Sequence, residues 1–157
     1  MAKQLIHSSG DVMKVVQHMD ELIMHSDTPR AIIIEPLRFI EDEANRLRKL
    51  ILDGRMKEEG WQRTFVHIGA AAKGLIEQWN VYHFTDLLLK KHVLYGAKPL
   101  LLWKELGICV RLTNKVERLK NLIANPTADT QGESYDDTLH DIVGYCVLGW
   151  WLKERKY

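Results

Sequence analysis

Residues 133–155 read ESYDDTLHDIVGYCVLGWWLKER, and their spacing decides the fold. Ser134 followed three places on by Asp137 is a capping pair at a helix start, and Leu139, Ile142, Val143, Cys146 and Trp150 recur at helical spacing. At 100° per residue these make one apolar face, with Glu133, Asp137 and Asp141 on a stripe roughly opposite, alongside Gly144 and Leu148. Beyond Asp141 the helix is apolar all round, so other protein is predicted to cover its acidic side. Upstream, Pro126 to Gly132 is a loop by composition. Before it, a helix over Ile108 to about Asn125 turns Ile108, Leu112, Val116, Leu119 and Ile123 inward.

The rest of the chain repeats the helical period. Ser9 is predicted to cap a helix carrying Val12, Val15, Val16, Met19, Leu22 and Ile23 that ends near Pro29. Ala31–Ile34 has the β-branched run of a short strand. Glu35-Pro36 then opens a helix with Leu37, Ile40, Ala44, Leu47, Leu50 and Ile51 inward, closed by Gly54. A third helical stretch runs from about Met56 to Trp79, and its small residues Gly69, Ala70, Ala71, Ala72 and Gly74 allow another helix to approach closely. Thr85 is predicted to cap a helix through Val93 that ends at Tyr95-Gly96, and Lys98-Pro99 restarts a short segment to Gly107. The class is all-α, in one domain over residues 1–157.

Composition agrees with a folded globular chain: 157 residues, 46% apolar and 27% charged. A formal net charge of +1 provides no global field for nucleic acid or an anionic membrane, and stable nucleic-acid binding is not expected. Cys109 and Cys146 lie in apolar helical patterns without metal-ligand spacing, which reads as buried thiols in a cytoplasmic protein. The N-terminal residues lack a signal-peptide apolar stretch, and no run of apolar residues is long enough to span a membrane.

Carboxylates every four residues suit Mg²⁺ or Mn²⁺, hard cations that take oxygen ligands and hold substrate phosphates. The alternative reading of Glu133 and Asp137 is a helix cap and complement to the helix dipole, for which Asp141 lies too deep. Arg111, Lys115 and Arg118 form a basic stripe on the preceding helix, suited to phosphates or to ordinary solvated surface. Lys90-Lys91 adds a third cationic spot before Tyr95-Gly96. His140-Asp141 lacks the downstream Asp of an HD-type metal phosphohydrolase, and the P-loop, dinucleotide-fold and nucleophile-elbow strings are absent. The seven histidines show no HExxH spacing and read as lone core or surface groups; the tryptophans read as core and interface.

Three motifs together resemble the nucleotide modification-associated domain family, type one, found largely in phages. They are Lys91-x3-Tyr95-Gly96; Arg111-x3-Lys115-x2-Arg118-Leu119-x2-Leu122; and Glu133-Ser134-x2-Asp137-Thr138-Leu139-x-Asp141-Ile142-x-Gly144-Tyr145. The resemblance covers residues 90–151, leaving 1–89 as additional N-terminal helices, and implies a role in nucleotide metabolism. The carboxylate-rich last helix is also similar to those of MazG-type all-α nucleoside triphosphate pyrophosphohydrolases. That similarity implies a bundle of MazG-like antiparallel helices and cleavage of an NTP or dNTP to a monophosphate and pyrophosphate. Glu133, Asp137 and Asp141 would then be the catalytic metal ligands for Mg²⁺ or Mn²⁺. Lys91, Arg111, Lys115 and Arg118 would bind phosphate, and Tyr95 would bind the base. It also implies a homo-oligomer, a dimer or tetramer, with Trp150 and Trp151 at the subunit interface. The alternative carried alongside is a non-catalytic nucleotide-sequestering helical module.

Overall fold

Helix follows helix with no strand among the described residues, which are 6–23, 31–55, 60–96, 98–127 and 134–154 of a computed structural model. The elements are α1 (Ser9–Ile23), α2 (Ala31–Ile34), α3 (Pro36–Leu52), α4 (Trp61–Leu75), α5 (Val81–Tyr95), α6 (Lys98–Ala124) and α7 (Tyr135–Glu154). The all-α class is therefore observed. Ala31–Ile34, which has strand composition, forms a single helical turn instead. Glu35 N–H bonds to Ala31 O at 3.0 Å, and Pro36, whose missing N–H costs nothing at a first helical position, opens α3 directly behind it.

Two helix starts and one break differ from the sequence reading. At α1, Asp11 Oδ2 accepts from the His7 and Ser8 N–H groups while Ser8 Oγ accepts from Asp11 N, so the cap is Ser8 rather than Ser9. At α5 the cap is Asn80, whose Oδ1 accepts from Tyr82 N and His83 N, both at 3.0 Å. Thr85 is instead buried inside that helix. The two segments expected on either side of Gly107 run together as α6, and the break falls at Lys104, where φ is 47° and ψ is −130°.

The buried side chains form one cluster. α7 lies most extensively against α4 and α6, α3 against α4 and α6, and α1 against α4 and α5. Close helix contact depends on two glycines. A Cβ at Gly149 of α7 would come within 2.8 Å of the Phe65 ring on α4, and one at Gly69 of α4 would collide with the Met19 side chain of α1. The expected close approach to the small-residue run of α4 is thus real, with α1 and α7 both using it.

α7 beyond Asp141 is indeed covered on all sides, but by this chain itself. Val147, Leu148 and Leu152 are buried together with Trp150 and Trp151, which retain only 8% and 6% exposure. The assignment of these two tryptophans to a subunit interface is therefore corrected: α7 is the central helix of the fold, and its apolar circumference meets α1, α4 and α6. Large exposed apolar side chains lie elsewhere, at Val93, Leu94 and Tyr95 of α5 and Leu102 and Trp103 of α6. No helix among the described residues is long and apolar enough to cross a membrane.

Candidate functional site

α5, α6 and α7 enclose a cavity of about 470 Å³, within the size range of small-molecule sites. Each helix contributes charge. α5 supplies Lys91 near its C-terminal end, α6 supplies Arg111 and Lys115 one turn apart, and α7 supplies Asp141. Their helical period explains the grouping: Arg111 and Lys115 are i and i+4, so they share a face, and that face borders the buried row Ile108, Leu112, Val116 and Leu119 that seats α6. The floor is apolar, from Leu87, Leu88 and Leu148, and the backbone reverses beside it at Gly96, whose φ of 72° ends α5.

Asp141 is the electrostatic centre. Its Oδ1 lies 3.0 Å from Lys91 Nζ and its Oδ2 lies 2.8 Å from Lys115 Nζ, with the carboxylate side chain 22% exposed. One carboxylate shared by two ammonium groups, with the Arg111 guanidinium also on the wall, leaves two positive charges in excess around the cavity. Such a surface attracts an anion with several oxygens.

Asp137 has a different task. Its Oδ2 accepts from Ser134 N at 3.0 Å and from Ser134 Oγ at 2.9 Å, while Ser134 Oγ accepts from Asp137 N. This is the reciprocal capping arrangement, and the backbone N–H of Ser134 holds the Asp137 carboxyl below its usual pKa. Asp137 does not line the cavity, nor does Arg118, which lies half-buried further along α6. Glu133 lies outside the described residues. Lys91, Tyr95, Arg111, Lys115 and Asp141 therefore line one cavity, and Asp137 and Arg118 do not, although Asp137 is close enough to feel the charge of Lys91.

His140 and Tyr145 line the same cavity, although sequence reasoning gave the first a lone core or surface role and the second none. His140 Nδ1 sits 2.7 Å from Asp136 O, and because a carbonyl only accepts, Nδ1 is the N–H donor. The ring stacks on Trp79 at 5.9 Å with an interplanar angle of 22° and approaches Phe84 at 6.4 Å. The signal was available in the spacing: Tyr145 is one helical turn beyond Asp141, and His140 is its immediate neighbour.

A resident divalent cation can be tested against this donor set. Among the described residues no group of three or more His, Cys, Asp or Glu side chains is placed to hold a metal ion. The two described carboxylates of the stripe are occupied, one by the cap and one by two lysines. The donors present fit an anion better than a permanently bound cation. No family model matches the chain, and no curated protein or solved structure matches it.

Proposed function

We propose that this chain binds a nucleotide, a ribo- or deoxyribonucleoside triphosphate, in the cavity between α5, α6 and α7. The observation that carries this reading is the ring of Lys91, Arg111 and Lys115 around the single carboxylate of Asp141, over an apolar and aromatic wall. Phosphate oxygens replace the Asp141 carboxylate as acceptors for the two lysines, and the planar Arg111 guanidinium takes a pair of oxygens. Tyr95, Tyr145 and His140 offer ring faces and polar edges to a base. The resemblance of the three motifs to a nucleotide-associated family supports the same ligand class.

A second reading, hydrolysis of the bound triphosphate to monophosphate and pyrophosphate, is favoured by the position of Asp141 itself. When phosphates draw the two ammonium groups away, its carboxylate is left beside the ligand as a base for an attacking water. Mg²⁺ or Mn²⁺ would enter as the counter-ion of the triphosphate, as part of the substrate. Assembly of copies into a dimer or tetramer would use the exposed side chains of α5 and α6, Leu94 and Trp103 among them, rather than α7.

Isothermal titration of the purified chain with ribo- and deoxyribonucleoside triphosphates, in Mg²⁺, in Mn²⁺ and in chelator, tests binding. Product analysis of the same mixtures tests turnover. Saturable binding supports the nucleotide site, and release of pyrophosphate adds the hydrolase reading. Absence of binding to every nucleotide removes both.

A further inference from the structure

A second cavity, of about 270 Å³, lies between α3 and α4 and shares no lining residue with the first. Its polar wall consists of Glu43 and Arg46 from α3 and Arg63, Thr64 and His67 from α4. One buried polar atom on this wall lacks a partner among the described residues, and two guanidinium groups stand beside it. His67 is only 9% exposed, and its buried Nε2 has no hydrogen-bond partner among the described residues. Leaving such a group unsatisfied is costly, so an interior position of this kind is normally filled by a partner.

Arg46 is held in place from two sides. Its Nη2 donates to Thr64 Oγ1 at 2.7 Å and to Glu43 Oε2 at 2.9 Å, and its Nε also faces the Glu43 carboxylate. Glu43 thus spends its charge on Arg46. Arg63, by contrast, forms no ion pair among the described residues.

We propose that the α3–α4 cavity is a binding site for a phosphate-type oxyanion, bound by Arg63, Arg46 and the Nε2–H of His67. Inorganic phosphate and the phosphate of a small phosphomonoester share this chemistry. His67 also reports on occupancy. Burial lowers its pKa first, then the charge of Arg63; Glu43 acts in the opposite direction and Arg46 adds a smaller lowering. An anion beside the ring opposes the two arginines, so binding raises the pKa of His67.

The test is a titration of the full chain with inorganic phosphate and, separately, with ribose 5-phosphate, followed by the imidazole NMR signals of His67, assigned through His67→Gln. Saturable movement of these signals is expected, with a rise in the His67 pKa. Arg63→Gln, at an exposed position that leaves the fold intact, should weaken binding about tenfold, and Lys115→Gln in the other cavity should leave it unchanged. Comparable affinity for both probes identifies free phosphate as the ligand. Ribose 5-phosphate binding about tenfold or more tighter identifies a phosphomonoester. The proposal is overturned if His67 is unmoved by both probes at tens of millimolar, or if its response survives Arg63→Gln intact or disappears in Lys115→Gln.

Discussion

Lys115 Nζ on α6 stands 2.8 Å from Asp141 Oδ2 on α7, and this pair ties the two helices together on the wall of the α5–α6–α7 cavity. With Lys91 on the other oxygen, Asp141 competes with any anionic ligand for the same two cations. Asp141→Asn should therefore leave triphosphate binding intact or tighten it severalfold in isothermal titration, while abolishing any pyrophosphate release. Both lysine side chains keep access to solvent, so the change in unfolding free energy should stay within about 1 kcal/mol. A large loss of affinity in this variant would mean that the carboxylate itself holds the ligand.

Asp137 is assigned to the start of α7, and a different outcome follows. Asp137→Ala should cost about 1 kcal/mol in chemical denaturation without changing nucleotide affinity. Because the Ser134 N–H holds the folded carboxyl below its ordinary pKa, this stabilisation is complete above the unfolded value of about 3.9. It disappears as pH falls through the folded value. The difference in stability between the parent chain and Asp137→Ala should accordingly vanish in strongly acidic buffer.

His92 gives the opposite end of the acid range. Burial lowers its pKa, with a further contribution from His7, and its Nε2 faces the Ile6 backbone N–H at 3.5 Å. Protonation turns that nitrogen into a donor and breaks the contact. The neutral ring therefore stabilises the fold fully above the unfolded pKa of about 6.5, and that stability is lost as pH falls through the lower folded value. Thermal melts of His92→Gln should show a shallower decline over this window than the parent chain, with His67 supplying the remainder.

At the α4–α7 contact, Gly149→Ala would place a methyl group 2.8 Å from the Phe65 ring. Both elements are central, so relief requires a shift of helix against helix. A loss of about 1–3 kcal/mol is expected, measured by urea unfolding with circular dichroism, since overpacking a dense core costs this much. A neutral result would place α7 further from α4.

The helical period made most of the fold legible: Ile40, Ala44, Leu47 and Leu50 of α3, and Leu139, Ile142, Val143 and Cys146 of α7, are buried as their spacing predicts. Helix starts were harder to read, because Asn80 and Thr85 are both acceptable caps and only their bonding separates them. The break in α6 falls at Lys104, three residues before the glycine at which the sequence places it. At the site, Arg111 and Lys115 could be paired from their spacing. Lys91 and Asp141 are brought together only by the packing of α5 on α7, which no local rule encodes. The acidic stripe shows the same limit: equal spacing places carboxylates on one line, and only the bonding shows that Asp137 caps α7 through Ser134.

The most direct measurement is isothermal titration of a triphosphate panel into the parent chain and into a double variant, Arg111→Gln with Lys115→Gln. Saturable one-to-one binding in the parent, weakened about a hundredfold or more in the variant, is the predicted result. Equal affinity in the two proteins, or no binding of any triphosphate to the parent, would contradict a nucleotide site between α5, α6 and α7.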